Sequence, residues 1–138
     1  MTGLRLYKKE KLCSPAAIEM LFSRAADASS SLSYPLRAVW RSNEQRRSDA
    51  KIAFLVSVPK KRLRHAVDRV LMRRRIREAY RLARPRYALP DGVRLDVAFL
   101  FVADRTVSYA SVSRAMDVLM EKIAASCVTQ KIKADESV

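Results

Sequence analysis

The stretch that decides the fold of this chain is KKRLRHAVDRVLMRRRIREAYRLARPR, residues 60–86. It contains twelve lysines and arginines against two acidic residues, so it carries a net charge of +10 out of +14 for all 138 residues. The pattern predicts a helix from about Arg64 to Ala83, which Pro85 ends. So much positive charge on one helix is self-repulsive unless an anion neutralises it, and a phosphate backbone is the partner that fits best.

The two sides of this helix differ in character. At about 100° per residue, Met72, Ile76, Ala79 and Ala83 share a narrow arc that we expect to face a sheet, with Tyr80 at its edge. Six arginines share a neighbouring arc of about 140°, namely Arg69, Arg73, Arg74, Arg77, Arg81 and Arg84. Most charged helix faces are simply solvated, but an excess this one-sided favours contact with nucleic acid.

The choice of arginine narrows the class of partner. All ten basic residues that follow Lys61 in this stretch are arginine. A guanidinium binds phosphate with two parallel hydrogen bonds and stacks on bases, whereas an ammonium is a point charge. A membrane-surface helix would carry large apolar side chains opposite its charges, and no apolar run in the chain approaches the ~20 residues that span a bilayer. Charge alone leaves DNA and RNA open. No DNA-binding motif is evident, and a basic helix between strands can lie against an irregular RNA surface. No contact with a membrane is expected.

Outside this stretch the pattern predicts one small α+β domain. We expect a first helix from Pro15 to about Ala26, strands at 36–41, 51–58 and 94–103, and a last helix at 108–125. The first two strands are expected to form an antiparallel hairpin. The predicted order is α-β-β-α-β-α, a sandwich over residues 1–128 with a polar, frayed tail at 129–138. Residues 1–11 lack a signal-peptide core, which favours the cytoplasm.

The residue types needed for catalysis or metal binding are scarce. His65 is the only histidine, the acidic residues are scattered, and Gly3 and Gly92 are too few for a phosphate-binding loop. Cys13 and Cys127 match no metal spacing and are expected to be inert thiols. The protein alone is therefore not expected to be a catalyst. Two alternatives stay open, which are a different RNA-binding protein, such as a ribosome-assembly factor, and an enzyme that acts through His65.

Three segments carry a resemblance to a known family. They are Ser57-Val58-Pro59-Lys60-Lys61, Ala66-Val67-Asp68-Arg69 and Arg73-Arg74-Arg75-Ile76-Arg77-Glu78-Ala79-Tyr80-Arg81. Together they make the chain similar, over about residues 5–125, to the protein subunit of bacterial ribonuclease P. The family has Arg-Asn-Arg where this chain has Arg69-Val70-Leu71, so we place no RNA contact on Val70 or Leu71.

The resemblance implies a fold, a partner and a substrate. The fold is a small mixed sheet with a left-handed βαβ crossover, like domain 2 of ribosomal protein S5. The partner is ribonuclease P RNA, which cleaves the 5′ leader from precursor tRNA with Mg²⁺, whereas the protein binds no cofactor or metal and contributes no catalytic residue. The protein subunit binds this RNA and holds the single-stranded leader in a sheet groove that contains aromatic rings.

The residues expected to fill these roles follow from the basic stretch and from the resemblance. The RNA-binding candidates are Lys60, Lys61, Arg62, Arg64, Arg69, Arg73, Arg74, Arg77 and Arg81. The leader-groove candidates are Phe22, Trp40 and Arg37, and the two aromatic residues are placed there by the resemblance. For both aromatic residues, packing in the core stays open as the alternative.

Overall fold

The structure, a computed structural model, describes residues 29–42, 52–87, 89 and 94–136, with residues 128–136 described by their backbone alone. The predicted helix at 15–26 lies outside these residues, and so does Phe22. The described elements are, in chain order, β1 (Ser29–Ser33), β2 (Leu36–Ser42), β3 (Ile52–Ser57), α1 (Ala66–Ala83), a short 3-10 helix (Arg84–Arg86), β4 (Leu95–Phe101) and α2 (Tyr109–Glu136).

The four described strands form one mixed sheet in the order β1-β2-β4-β3. β2 is antiparallel to both β1 and β4, whereas β3 is parallel to β4. The predicted hairpin between the strands at 36–41 and 51–58 is therefore wrong, because β4 lies between them. β3 reaches β4 through helix α1, and such a crossover is the ordinary way to place two parallel strands side by side.

The architecture agrees with the fold class that was predicted. It is an α+β fold in which a small mixed sheet of four strands packs with two helices, as the resemblance implied. The unit β3-α1-β4 is the βαβ crossover of that fold, and its left-handed sense stays a prediction. None of the helices in the described part of the chain is long and apolar enough to cross a membrane.

β1 was not predicted, since its sequence, Ser-Ser-Ser-Leu-Ser, carries only one large apolar side chain. The strand is held by its pairing with β2, which runs from Ser29 opposite Trp40 to Ser33 opposite Leu36. Tyr34 and Pro35, joined by a cis peptide bond, form the turn between the two strands. Pairing of the backbone is thus enough to define a strand that side-chain pattern does not reveal.

The core lies between one face of the sheet and the two helices. Alternate residues of β2 and β4 supply its sheet side, namely Leu36, Ala38, Trp40, Val97, Phe99 and Phe101, and all are buried. Tyr80 fixes α1 to this layer, since its ring centroid lies 4.4 Å from that of Phe54 and 5.7 Å from that of Phe99. Aromatic pairs at these separations add to the gain from burial. The contacts of Tyr80 with Phe54 and Phe99 therefore determine which side of α1 remains exposed.

Helix α2 covers the rest of this sheet face. Its predicted apolar stripe is confirmed as buried and consists of Val112, Met116, Leu119, Met120 and Ile123. At its start the Ser108 hydroxyl accepts a hydrogen bond from the backbone N–H of Ser111 at 3.3 Å, which caps the helix. The predicted end near Ala125 is wrong, because the helix continues to Glu136 and includes residues that were expected to fray.

Candidate nucleic-acid interface

Helix α1 buries the side that its sequence predicted. Met72, Ile76, Ala79 and Ala83 are buried against the sheet and α2, and Tyr80 is buried with them. The opposite side of the helix faces solvent along its length. Because the buried arc is narrow, most of the arginines are directed outward or lie along its margins.

The centre of the exposed side carries arginines without intramolecular partners. Arg74 and Arg77 are exposed and Arg73 is half-buried. Within the described residues, none of the three makes a hydrogen bond or an ion pair. Each guanidinium therefore keeps all five of its N–H donors for an external acceptor. We call these three residues the basic face of α1.

A second group of cations precedes the helix, in the segment 59–65, which we call the basic loop. Its exposed cations are Lys60, Lys61, Arg62 and Arg64. Leu63, which is buried, anchors the loop in the core. Within the loop, the backbone N–H groups of Arg62 and Leu63 donate to the carbonyl of Pro59, at 3.0 Å and 3.2 Å, and so fix the turn. The cations thus stand on a fixed backbone beside the N-terminus of α1, where the helix dipole adds positive potential.

Arg69 joins the basic loop to the helix. Its Nη1 donates hydrogen bonds to the carbonyl oxygens of Leu63 at 2.9 Å and Arg64 at 3.0 Å. A guanidinium that spans two successive carbonyls orients the backbone between them. Arg69 was predicted to contact RNA, and this stays a prediction. In the structure its side chain stabilises the backbone of the basic loop.

Three further arginines are engaged inside the molecule. Arg81 pairs with Glu78, with 3.0 Å between Nε and Oε2, and this bond holds the pKa of the Glu78 carboxyl below its ordinary value. Arg75 donates to the carbonyl oxygen of Val107, just before α2. Arg86 forms an ion pair with Asp117 of α2 at 3.0 Å. The arginines of the basic stretch therefore fall into two groups, those bonded within the molecule and those that remain open among the described residues.

The departure from the family pattern lies on the surface. Val70 is 41% exposed and Leu71 is 36% exposed, next to Val67 at 79%. On the helix Val70 stands among the residues of the basic face, while Leu71 lies to one side of it. The pair therefore places apolar surface beside the N-terminal end of the basic face.

The two leader-groove candidates that the structure describes, Trp40 and Arg37, lie on opposite faces of the sheet. Trp40 packs in the core between sheet and helices, 6% exposed, and its Nε1 is buried without a hydrogen-bond partner in the part of the chain described. Arg37 is exposed on the other face of the sheet, because residues three apart in a strand point to opposite faces. Two roles were open for Trp40, a ring in the core and a ring that is open to a base, and this placement agrees with the core.

We call the sheet face that carries Arg37 the second face. The sequence analysis did not predict which residues share it. Val39 and Arg41 follow Arg37 at alternate positions and are half-buried. On the same face, Leu100 lies on the adjacent strand β4 and Leu55 on β3 beyond it. Side chains alternate between the two faces along a strand, and this alternation along β2 could have shown that Arg37, Val39 and Arg41 lie on the face opposite Trp40. The second face combines apolar side chains with two arginines and with the buried residue Asp96, which pairs in register with Arg41.

The described part of the chain offers little for metal binding or thiol chemistry. Among the described residues, no three His, Cys, Asp or Glu side chains lie close enough to hold a metal ion. His65 is exposed at the start of α1, and its side chain makes no capping bond. Cys127 is buried, and burial raises the pKa of its thiol, which disfavours the reactive thiolate. Cys13 lies outside the described residues.

Comparison with known proteins gives one consistent family. The sequence model of the family described as Ribonuclease P matches residues 6–124. Two curated proteins called "Ribonuclease P protein component", from two strains of Porphyromonas gingivalis, are each 37% identical to this chain over 105 residues. The similarity to these two proteins covers 72% of this chain and 74% of each relative. The family match, at residues 6–124, includes α1 and the basic loop.

Proposed function

The chain belongs to the ribonuclease P protein family, and from this premise we propose that it is the RNA-binding subunit of a ribonucleoprotein endonuclease. The family places the chain in tRNA processing by ribonuclease P. In our proposal the RNA subunit performs the cleavage with bound Mg²⁺, in the cytoplasm. The protein binds that RNA and the single-stranded 5′ leader of precursor tRNA.

The observation that carries the proposal is the combination of the basic face with the basic loop. The exposed or half-buried cations of the two groups, four in the loop and three on the helix, have no described intramolecular partner. Each one that meets a phosphate releases counterions, so several such contacts produce tight but salt-sensitive binding. Because the backbone beneath them is fixed by Leu63, Arg69 and the packing of α1, the surface is suited to RNA of defined shape.

A second surface is proposed for the leader. The second face lies across the sheet from α1, so RNA on the basic face and RNA on the second face would not compete for the same side chains. Its mixture of half-buried apolar residues with Arg37 and Arg41 suits flexible, single-stranded RNA, whose bases and phosphates are both accessible. The resemblance adds Phe22 to this surface. The burial of Trp40 leaves that residue out of it.

The proposal is tested by reconstituting activity from separated components. Protein purified free of RNA is expected to leave precursor tRNA intact, and addition of the matching ribonuclease P RNA is expected to restore cleavage at the 5′ end at low Mg²⁺. His65→Ala should retain this reconstituted activity, since no role is assigned to the imidazole. Cleavage by the RNA-free protein would overturn the proposal.

The RNA that accompanies the native protein provides an independent check. Sequencing of the co-purifying RNA is expected to return ribonuclease P RNA. Recovery of ribosomal RNA in its place would point to a role in ribosome assembly and would contradict the proposed partner.

A further inference from the structure

The turn between β1 and β2 presents an aromatic ring to solvent. Tyr34 is 60% exposed, and it is the only aromatic side chain among the described residues that is mainly exposed. The other described rings are buried or half-buried, and most of them pack in the core. An open ring on a strongly basic protein is a feature that the basic face does not explain.

Tyr34 stands between two cavities. One of about 500 Å³ lies toward the second face and is lined by Leu32, Arg37 and Val102 in addition to Tyr34. The other, of about 260 Å³, lies toward α2 and includes Arg114. No acidic residue lines either cavity. The ring therefore has open space and a cation on both sides.

The two arginines are available to an external anion. Arg37 makes no hydrogen bond or ion pair with any described residue. Arg114 uses Nε in a long bond of 3.4 Å to the carbonyl of Ala110, which leaves its terminal nitrogens unbound within the described structure. Ser31 and Ser111 are among the residues that line the larger and the smaller cavity respectively. A flat ring with flanking guanidiniums matches a nucleotide, whose base stacks and whose phosphates accept hydrogen bonds.

We propose that an unpaired nucleotide of the 5′ leader stacks on Tyr34, with its neighbouring phosphates at Arg37 and Arg114. This inference rests on the proposed function. The leader is the occupant that the geometry favours, because Arg37 belongs to the second face and pairs in register with Leu32 and Leu100. The larger cavity is thus the continuation of that face, whereas the basic face of α1 lies across the sheet. Only unpaired RNA can present a base to such a ring.

The test is the affinity of the holoenzyme for precursor tRNAs whose leaders are shortened one nucleotide at a time. Tyr34→Ala is expected to weaken binding of long-leader substrates by about 5- to 150-fold, the range that corresponds to one base stacked on one ring. The effect should disappear once the leader is too short to reach Tyr34. Tyr34→Phe, which keeps the ring, should bind like the wild type, and Arg114→Gln should weaken only the long-leader substrates.

Leu82→Ala serves as the matched control, because Leu82 is 36% exposed on α1 and is assigned no RNA contact. Thermal melting of each variant verifies folding, and Arg114→Gln keeps the test decisive if Tyr34→Ala is unstable. Unchanged affinity in Tyr34→Ala and Arg114→Gln, or an equal loss for substrates with and without a leader, would overturn the inference. If the affinity of the wild-type enzyme did not depend on leader length, the proposed binding of the leader by the protein would itself be wrong. This result differs from a wild type that depends on leader length and a Tyr34→Ala variant that behaves like it, which would contradict only the role of Tyr34.

Discussion

At the scale of single residues, Trp40 shows how burial decides between two roles for one side chain. A ring stacked on RNA must be open, whereas Trp40 is 6% exposed and belongs to the core cluster. Its indole N–H is buried without a partner among the described residues, which is costly for any polar group. The ring therefore stabilises the fold by its apolar surface and not by its hydrogen bond.

We expect Trp40→Ala to lower the free energy of unfolding by about 3–5 kcal/mol, because it removes a large buried ring and leaves a cavity. Trp40→Phe should cost much less, since it removes the unpaired donor and retains most of the apolar contact. Urea denaturation measures both values. If Trp40→Ala were as stable as the wild type but bound the leader more weakly, the ring would belong to the RNA surface after all.

Arg69 is the residue at which internal and external roles meet. Its guanidinium is bonded to the carbonyls of Leu63 and Arg64, so its loss should release the backbone that carries the cations of the basic loop. We expect Arg69→Ala to weaken RNA binding mainly through that loop. Amide hydrogen exchange over residues 60–65 should accelerate in the variant.

A double-mutant cycle separates this positioning role from direct contact. If Arg69 acts through the loop, the losses in affinity from Arg69→Ala and Lys61→Ala should be less than additive, since a disordered loop already weakens the Lys61 contact. Arg73→Ala, a change on the basic face, should add to Arg69→Ala and serves as the control. Additive losses with Lys61→Ala, together with unchanged hydrogen exchange, would place Arg69 in direct contact with RNA.

At the scale of elements, helix α1 combines arginines that build the fold with arginines that face outward. Arg75 and Arg77 are two positions apart, yet the first donates to the carbonyl of Val107 and the second has no partner in the described structure. The difference follows from the 100° step of the helix, which turns one toward the segment before α2 and the other toward solvent.

This pair gives a matched test of the basic face. Arg77→Ala should reduce the slope of log affinity against log salt by about one unit without a large change in stability. Arg75→Ala should leave that slope nearly unchanged and lower the free energy of unfolding by about 1–3 kcal/mol, because it leaves a carbonyl without its donor. Equal slopes for Arg77→Ala and the wild type, measured by titration with ribonuclease P RNA at several KCl concentrations, would show that this side of α1 is only solvated.

The elements also show what local sequence pattern can reveal. The narrow arc of Met72, Ile76 and Ala79 is a property of α1 alone, so the pattern identified both the helix and its buried side. Strand β1 was not predicted, because its serines show no alternation of apolar and polar side chains. The strand is formed by its backbone pairing with β2. The hairpin was predicted wrongly for a similar reason. The short loop between β2 and β3 favours their pairing, but β4 is apolar on both faces and lies between them, paired with both.

The site was predictable to the same extent. The arginines of α1 were recognised from charge and helical spacing, which are local properties. Their division into internal and open groups depended on contacts with Val107, Leu63 and Asp117, which come from other segments. The separation of Arg37 from Trp40 was readable from the period of two along β2 and was overlooked, because both residues were considered for their chemistry alone.

At the scale of the whole molecule, the sheet separates two surfaces of different character. The basic face and basic loop lie on the side of α1 and present cations that have no partner among the described residues, on a fixed backbone. The second face, with Arg37 at its margin and Tyr34 beyond it, presents apolar side chains between fewer charges. Because each surface is built from different strands or helices, changes on one should leave the geometry of the other intact.

This separation predicts independent losses of binding. Arg77→Ala should weaken assembly with ribonuclease P RNA and leave unchanged the ratio of affinities of the assembled enzyme for substrates with and without a leader. Arg37→Ala should leave assembly unchanged and reduce that ratio. In the double variant the two free-energy changes should add within about 0.5 kcal/mol, as expected for distant sites without shared partners. Assembly is measured by titration with the RNA subunit, and the ratio by competition between the two substrates. A loss of assembly in Arg37→Ala, or strong coupling between the two changes, would mean that one continuous RNA surface wraps the sheet and that the two faces act together.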